Sequence, residues 1–282
     1  MKIQIEQNVR LYVDIEGAGL VPDGPLMRDK PTLVLLHGGP GYDHTAFKPA
    51  FSQLADIAQI VYYDHRGHGR SDACPPREWT LDTFADDVVR LCDALGISQP
   101  IVLGQSFGGF VAQRYLARHP GHPAKVILSS TSASLGLGRK LAMFEKLGGP
   151  AARAAAQRFW SEPCAATYAP YLQLCKPLYS VRPAANGDAA RRAIVSRDIL
   201  YAWAAGEQQT MDLLPGLAHA LCPVLVLAGE SDPVCTLDDA RDIAAALPQH
   251  LVQFERFDGC GHGVWRDAPV AAFARLRQFI TA

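Results

Sequence analysis

Short apolar runs recur along the chain and alternate with longer segments whose apolar residues are spaced as on one face of a helix. Most of these runs are apolar on both faces, which is typical of strands in a parallel sheet covered by helices. The predicted strands are residues 32–37, 59–64, 100–104, 125–130, 223–230 and 251–257. This alternation predicts an α/β fold.

The amphipathic segments between the strands predict helices. These segments are residues 80–96, the stretch that follows Ser106, and residues 237–248 and 267–280. Thr80 and Asp267 have the position and the side-chain chemistry of N-cap residues. Apolar and polar positions alternate over residues 1–17, which predicts two hairpin-like strands. We therefore expect a mixed sheet with antiparallel pairing at one edge.

The alternation stops between about residues 133 and 215. This stretch is rich in Ala, Arg, Leu and aromatic residues and is broken by glycine and proline, so it predicts several helices inserted between two strands. Ligands of open α/β sheets bind at the carboxyl ends of the strands. We expect residues 133–215 to form a helical lid over that edge, with a purely structural insert as the alternative. Residues 1–132 and 216–282 then form the core.

The composition limits the kinds of binding partner that we expect. The formal net charge of −1 gives no reason to expect nucleic acid or an anionic membrane as a partner. The apolar runs are too short for a membrane span, and the N-terminus lacks the apolar core of a signal peptide. The seven cysteines contain no C-x-x-C pair. Their odd number and scatter favour free thiols in a reducing cytoplasm over disulfides or a zinc site.

Ser106 lies between Gly104 and Gly108 at the spacing G-x-S-x-G, after a predicted strand and before a predicted helix. This spacing is typical of a nucleophile on a sharp strand-to-helix turn, where a larger flanking side chain would collide with a neighbouring element. The N-terminus of the following helix favours negative charge at the serine. The pattern therefore predicts a nucleophile, and a tight turn that happens to contain serine is the alternative.

A serine nucleophile needs a base, and the base needs an orienting acid. In this type of fold the chain order is Ser, then Asp or Glu, then His. Asp232 follows a predicted strand, and His262 lies in a loop after the last predicted strand. We therefore predict Asp232 as the acid and His262 as the base, with Glu230 as the rival acid.

Acyl transfer also needs backbone donors for the oxyanion of the tetrahedral intermediate. The expected donors are the amide of Phe107, the residue after the nucleophile, and that of Gly39 in the glycine-rich stretch after the strand at 32–37. This chemistry needs no cofactor. His65 and His68 have a spacing that metal ligands can have, but no third ligand is evident, so we expect no metal site.

The motifs together resemble the α/β-hydrolase superfamily. They are H-G-G-P-G at 37–41, D-H-R-G-H-G-R-S-D at 64–72, the Ser106 turn, Asp232 and His262. The first two look particularly like the prolyl aminopeptidase (proline iminopeptidase) group. The resemblance implies a mostly parallel eight-stranded sheet flanked by helices, with an inserted lid and a serine hydrolase activity.

One motif departs from the aminopeptidase pattern. Those enzymes usually have Gly-Gly-Ser-Trp or Gly-Gly-Ser-Tyr at the nucleophile, whereas residues 104–109 are Gly-Gln-Ser-Phe-Gly-Gly. This sequence is closer to the esterase, lactonase and C–C hydrolase branches. A prolyl-aminopeptidase-like hydrolase is the first functional prediction, and a carboxylesterase or lactonase, including one for acyl-homoserine lactones, is the alternative. A non-catalytic ligand-binding protein on the same fold is the second alternative.

The lid supplies the candidate substrate contacts. In the aminopeptidases, lid carboxylates hold the substrate's α-ammonium, and the matching candidates are Asp198 and Glu207; solvated helix faces are the alternative. Aromatic lid residues predict an apolar pocket. They include Phe144, Trp160, Tyr201 and Trp203. Such a pocket suits a small ester, a lactone or a short peptide with an apolar N-terminal residue.

Overall fold

A computed structural model of the chain describes residues 1–182 and 188–282. The strands in these residues are β1 (Lys2–Glu6), β2 (Val9–Glu16), β3 (Leu20–Asp23), β4 (Leu26–Asp29), β5 (Thr32–Leu36), β6 (Gln59–Tyr63), β7 (Ile101–Gln105), β8 (Lys125–Ser129), β9 (Val224–Gly229) and β10 (Val252–Phe257). The six predicted strands correspond to β5–β10, with bounds that agree to within a residue or so.

The α-helices follow the same alternation in the core and cluster between β8 and β9. They are α1 (Leu81–Leu95), α2 (Phe107–Arg118), α3 (Leu137–Ser161), α4 (Ala165–Leu174), α5 (Asp188–Arg192), α6 (Arg197–Ala205), α7 (Leu214–Leu217), α8 (Leu237–Ala246), α9 (Val264–Asp267) and α10 (Pro269–Thr281). None of the helices in the described part of the chain is both long enough and apolar enough to cross a membrane.

Eight of the described strands form one sheet in the order β1–β2–β6–β5–β7–β8–β9–β10. The β1–β2 and β2–β6 pairs are antiparallel, and the remaining neighbours are parallel. The predicted mostly parallel, eight-stranded α/β sheet with an antiparallel edge is therefore confirmed. The separate hairpin β3–β4 was not predicted, because its strands carry no buried residue that would mark them in the pattern.

Successive side chains of β5 point to opposite faces of the sheet and pack into two separate apolar clusters. Val34 and Leu36 pack on the face covered by α1 and α2, while Leu33 and Leu35 pack on the opposite face with α10. These four residues are fully buried. Burial on both faces explains why this strand is a continuous apolar run. A third apolar cluster lies within the inserted helices and includes Phe144 and Phe159.

One predicted N-cap is correct and the other is wrong. Thr80 accepts a hydrogen bond from the Thr83 amide at the start of α1. Asp267 instead ends α9, because the next helix starts at Pro269, a residue suited to a first helical turn. The Asp267 carboxylate accepts from the amides of Gly261, Val181 and Arg182, and thereby ties the insert to the loop before His262.

Helices α3–α7 form the insertion between β8 and β9. Its longest helix, α3, is bent where Gly149 has a φ of 73° directly before Pro150. Residues 183–187, which fall within the predicted lid, lie outside the described residues. The two ends of the insert's sequence are joined to each other, because Leu213 donates its amide to Ala133 O.

Candidate active site

Ser106 occupies the sharp turn between β7 and α2 with φ 56° and ψ −115°. Its glycine neighbours have no room for side chains: a Cβ at Gly104 would lie 2.3 Å from Gly108 O, and a Cβ at Gly108 would lie 2.0 Å from Leu36 O. The packing of the turn between a strand and a helix thus requires both glycines of the G-x-S-x-G spacing. The turn leaves the Ser106 side chain partly exposed at the carboxyl edge of the sheet.

The three residues of the predicted triad lie in one hydrogen-bonded line. Ser106 Oγ is 2.9 Å from His262 Nε2, and His262 Nδ1 is 2.8 Å from Asp232 Oδ2. Asp232 is fully buried, and His262 is 6% exposed. The imidazole is 156 residues from the hydroxyl and 30 residues from the carboxylate in sequence. The folded chain therefore brings the three groups within the distances that proton transfer requires.

Further hydrogen bonds hold the acid and the base in place. Asp232 Oδ1 accepts from the amides of Val234 and Cys235 at 2.8 and 2.9 Å. The buried Lys140 of α3 donates through Nζ to Val234 O. His262 donates its amide to Tyr179 O at 2.6 Å. The rival acid, Glu230, is exposed and accepts from the Gly259 amide, away from His262.

The predicted oxyanion donors flank Ser106. Phe107 is the first residue of α2, and the first amides of a helix have no acceptor within the helix. The glycine-rich loop is close on the other side, since a Cβ at Gly38 would lie 3.3 Å from Ser106 Cβ. Gly39 has a φ of 137°, a backbone conformation that favours glycine. Donation by Phe107 and Gly39 to an oxyanion remains a prediction.

The 64–72 loop supports this region through charge. Arg66 binds Asp87 through two nitrogens and also pairs with Glu6 and Glu78. Asp64 accepts from the ring and the amide of His44. Among the described residues, no group of three or more His, Cys, Asp or Glu side chains could hold a metal ion.

Three histidines form a buried cluster behind Phe107. The ring centroids of His37 and His65 are 4.3 Å apart, and His68 stacks at 6.1 Å on Phe107. Burial lowers the pKa of all three, that of His68 to about 3. His65 donates its amide to His37 Nε2, so His37 Nδ1 carries the proton and donates to Gly38 O. Neutral imidazoles thus fix the glycine-rich loop.

The aromatic residues predicted to form the pocket lie in different parts of the structure. Trp203 packs on Phe107, with ring centroids 5.1 Å apart, and so adjoins the nucleophile turn. Phe144 and Trp160 are buried within the apolar cluster of the insert. Tyr201 is half-buried and contacts Tyr168. The structure therefore packs Trp203 against Phe107 in the main core and uses Phe144 and Trp160 as core of the insert.

The two predicted ammonium-binding carboxylates are not gathered at the nucleophile. Asp198 is an exposed residue in the first turn of α6. Glu207 accepts from the Leu81 amide at 3.0 Å and so caps the N-terminus of α1. Desolvation raises the pKa of Glu207, and the Asp82 charge adds to that rise. Its oxygen thus has a structural partner that no local sequence pattern indicates, because the contact spans 126 residues.

Tyrosines lie next to His262, and two of them, Tyr42 and Tyr179, were not predicted, whereas Tyr168 and Tyr171 are among the aromatic lid residues of the predicted pocket. The Tyr179 ring meets the His262 ring edge to face at 5.2 Å, and Tyr179 Oη bonds to Tyr171 Oη at 2.6 Å. Tyr42 Oη lies 3.1 Å from Tyr168 Oη. Tyr42 directly follows the H-G-G-P-G stretch, a position that could have marked it, whereas Tyr179 reaches the site only through the fold of the insert. These side chains offer neutral hydroxyls and apolar rings.

Comparisons with known proteins agree with this geometry. A sequence model described as alpha/beta hydrolase fold matches residues 31–267. The proline iminopeptidase of Lactobacillus delbrueckii subsp. lactis is 30% identical over 265 residues, which are 83% of this chain and 84% of that protein. Proline iminopeptidase PfmaB of Pestalotiopsis fici is 39% identical over 128 residues, and this match spans 44% of each protein. The structure of proline iminopeptidase from Mycobacterium smegmatis superposes with a TM-score of 0.79 at 22% identity, over 100% of this chain and 97% of that one.

Proposed function

Because the chain belongs to the alpha/beta hydrolase family, we propose that it is a serine hydrolase that cleaves a small ester or lactone through an acyl-enzyme. The observation that carries the proposal is the continuous line of hydrogen bonds from Ser106 Oγ through His262 to Asp232. A hydroxyl in this line can lose its proton to the imidazole as it attacks a carbonyl. The family membership alone would also accommodate a protein without catalytic activity.

The proposed mechanism assigns each residue one task. His262 Nε2 takes the Ser106 proton as Oγ bonds to the carbonyl carbon. The amides of Phe107 and Gly39 hold the oxyanion of the tetrahedral intermediate, and loss of one such donor typically lowers turnover by ~10²–10³-fold. His262 then gives its proton to the leaving oxygen. A water, activated by the same nitrogen, releases the acyl group. Asp232 holds the imidazole tautomer throughout and stabilises the imidazolium.

The charges around His262 favour a substrate without an amine. The tyrosines near His262 are neutral, because burial raises the pKa of Tyr168, Tyr171 and Tyr179 well above 10. Asp232 already binds His262, Glu207 caps α1, and Asp198 is exposed. Neither of the carboxylates predicted to bind an ammonium group, Asp198 and Glu207, is therefore both buried and free of a partner next to Ser106.

A prolyl aminopeptidase is the second candidate. It is supported by the relative from Lactobacillus delbrueckii subsp. lactis, whose match extends over most of both chains. Residues 133–215 are the proposed lid in either case, and the core comprises residues 1–132 and 216–282. A small molecule or a short peptide is the proposed partner. The cytoplasmic location expected from the cysteines stays a prediction.

Labelling and turnover of the same protein test the proposal. We expect a fluorophosphonate probe to label the wild type and to leave Ser106→Ala unlabelled, with turnover of a short-chain 4-nitrophenyl ester lost in that variant. Absence of labelling in a folded wild type would contradict the proposal and indicate a ligand-binding protein. Proline 4-nitroanilide and its N-blocked derivative distinguish the two enzymes, because only an aminopeptidase cleaves the anilide with the free amine faster than the blocked one.

A further inference from the structure

Two cationic side chains flank the catalytic histidine on the side of the insert. Lys176 lies in the short 3₁₀ helix Lys176–Tyr179, with Nζ 4.2 Å from the centroid of the Tyr179 ring. The same ring packs against His262. Arg266 lies in α9, with Nη1 3.5 Å from His262 O. Lys176 is thus one aromatic ring away from the imidazole, and Arg266 contacts the backbone of the same histidine. The two segments adjoin, because the amides of Val181 and Arg182 donate to Asp267.

Neither cation has an ion-pair partner within the part of the chain that the structure describes. In residues 1–182 and 188–282, no carboxylate lies within ion-pair distance of Lys176 or Arg266, although most arginines of the chain have such a partner. The nearest acidic neighbour of Arg266 in sequence, Asp267, is already bound by three backbone amides. Each cation instead lies over an aromatic ring, Lys176 over Tyr179 and Arg266 over Trp265 at 4.3 Å.

Solvent and protein both surround the two side chains. Both residues are exposed to solvent. Even so, the protein around them is dense enough to lower the pKa of Lys176 to about 8 and that of Arg266 to about 10, mainly by desolvation. The charge of Arg266 also lowers the pKa of Lys176. Cations that solvent reaches, that are partly desolvated and that have no ion-pair partner gain from contact with an anion.

We propose that Lys176 and Arg266 form an anion subsite, so that the preferred substrates are esters or lactones that carry a carboxylate away from the scissile bond. This inference rests on the proposed function, because it assigns a substrate class to that site. The tyrosine hydroxyls and rings around His262 would contact the uncharged part of such a substrate. The carboxylate would accept charge-assisted hydrogen bonds from the ammonium and the guanidinium.

A matched pair of substrates tests the subsite. Mono-4-nitrophenyl adipate carries a free carboxylate, and its methyl-capped diester has the same chain without the charge. We expect kcat/KM of the wild type to be about tenfold or more higher on the free acid. Lys176→Met and Arg266→Gln should each reduce this preference severalfold. The control is Lys146→Met, an exposed lysine of α3 that should leave the preference unchanged.

The pH dependence supplies a second readout. The preference should fall as the pH rises from 7 to 9, because Lys176 loses its charge near pH 8. Arg266, with a pKa of about 10, and Tyr179, whose pKa is raised well above 10, keep their charge states over most of this range. A pH effect on the chemical step that the two esters share cancels in the ratio. Added salt should lower the preference as well.

The outcomes separate this inference from the proposed function. Equal kcat/KM on the two esters would overturn the anion subsite while the serine hydrolase stands. A preference that Lys146→Met abolishes as strongly as Lys176→Met would also overturn it, because the general charge of the insert would then be responsible. No turnover of either ester and no fluorophosphonate labelling would overturn both.

Discussion

Ser106 has a backbone conformation that is unusual for any residue other than glycine. Such a conformation costs about 1–3 kcal/mol and persists only where neighbours enforce it. Here Ser106 N donates to Ser129 O at 3.0 Å, and Thr131 Oγ1 donates to Ser106 O at 2.9 Å. The turn is therefore fixed by the strand beside it. This arrangement keeps Oγ directed at His262 without a conformational change during attack.

Replacement of Asp232 by asparagine tests the acid. We expect Asp232→Asn to lower kcat by ~10³–10⁴-fold, because a neutral amide does not stabilise the imidazolium and can hold the wrong tautomer. The measurement is kcat on a 4-nitrophenyl ester, with circular dichroism as a check on folding. Glu230→Gln is the matched control and should keep nearly full turnover, since Glu230 is exposed. The reverse pattern would reassign the acid to Glu230.

At the level of elements, the insert reaches the site through a few anchors on the core. Lys140 of α3 donates to the loop that holds Asp232, and Tyr179 accepts from the His262 amide. Glu207, just after α6, caps the start of α1. The insert thus contacts both the acid and the base, and a displacement of its helices would disturb the hydrogen-bonded line to Ser106.

Glu207→Ala distinguishes a helix cap from an ammonium-binding residue. We expect the free energy of unfolding to fall by about 1 kcal/mol, because the Leu81 amide loses its acceptor at the N-terminus of α1. The ratio of rates on 4-nitrophenyl 6-aminohexanoate and 4-nitrophenyl hexanoate should stay constant. The measurements are urea unfolding and initial rates on the two esters. A selective loss on the amine-bearing ester would restore Glu207 as an ammonium ligand. Glu162→Ala, an exposed residue of the insert, is the control.

For the whole molecule, the buried histidine cluster couples the fold to pH. An unfolded histidine binds a proton below a pH of about 6.5, whereas burial keeps His68 neutral down to about 3. His37 and His65 also have lowered pKa values. The unfolded chain therefore binds more protons than the folded chain below pH 6.5. Stability that is present above this pH is lost progressively as the pH falls.

His68→Asn tests this linkage. Asparagine can still donate towards Arg66 O, the partner of His68 Nδ1, but it does not titrate. We expect the variant to be less stable at pH 7, because packing on Phe107 is lost. Between pH 6 and 4, its free energy of unfolding should fall less steeply than that of the wild type, by about 1.4 kcal/mol per pH unit for one proton. Urea titrations over this pH range measure both slopes, and equal slopes would remove His68 from the acid response.

The sequence by itself determined the fold class and the order of its elements. Strands such as β5 are buried on both faces, and their sequences are therefore continuous apolar runs. The glycines at 104 and 108 are required by the close contacts of the strand-to-helix turn. It also indicated the residues that the fold would join, because Ser106, Asp232 and His262 all follow strands that end at one edge of a parallel sheet.

Only the tertiary structure decided which side chains face one another in the insert. Helices with similar patterns of aromatic residues pack in different places. Trp203 contacts Phe107, whereas Phe144 lies in the core of the insert. The same holds for charge: Glu207 caps a helix that is distant in sequence, and Lys176 lies over the tyrosine ring that packs on His262. Periodicity reports which face of an element is buried, but partners that are distant in sequence are selected by packing and electrostatics in three dimensions.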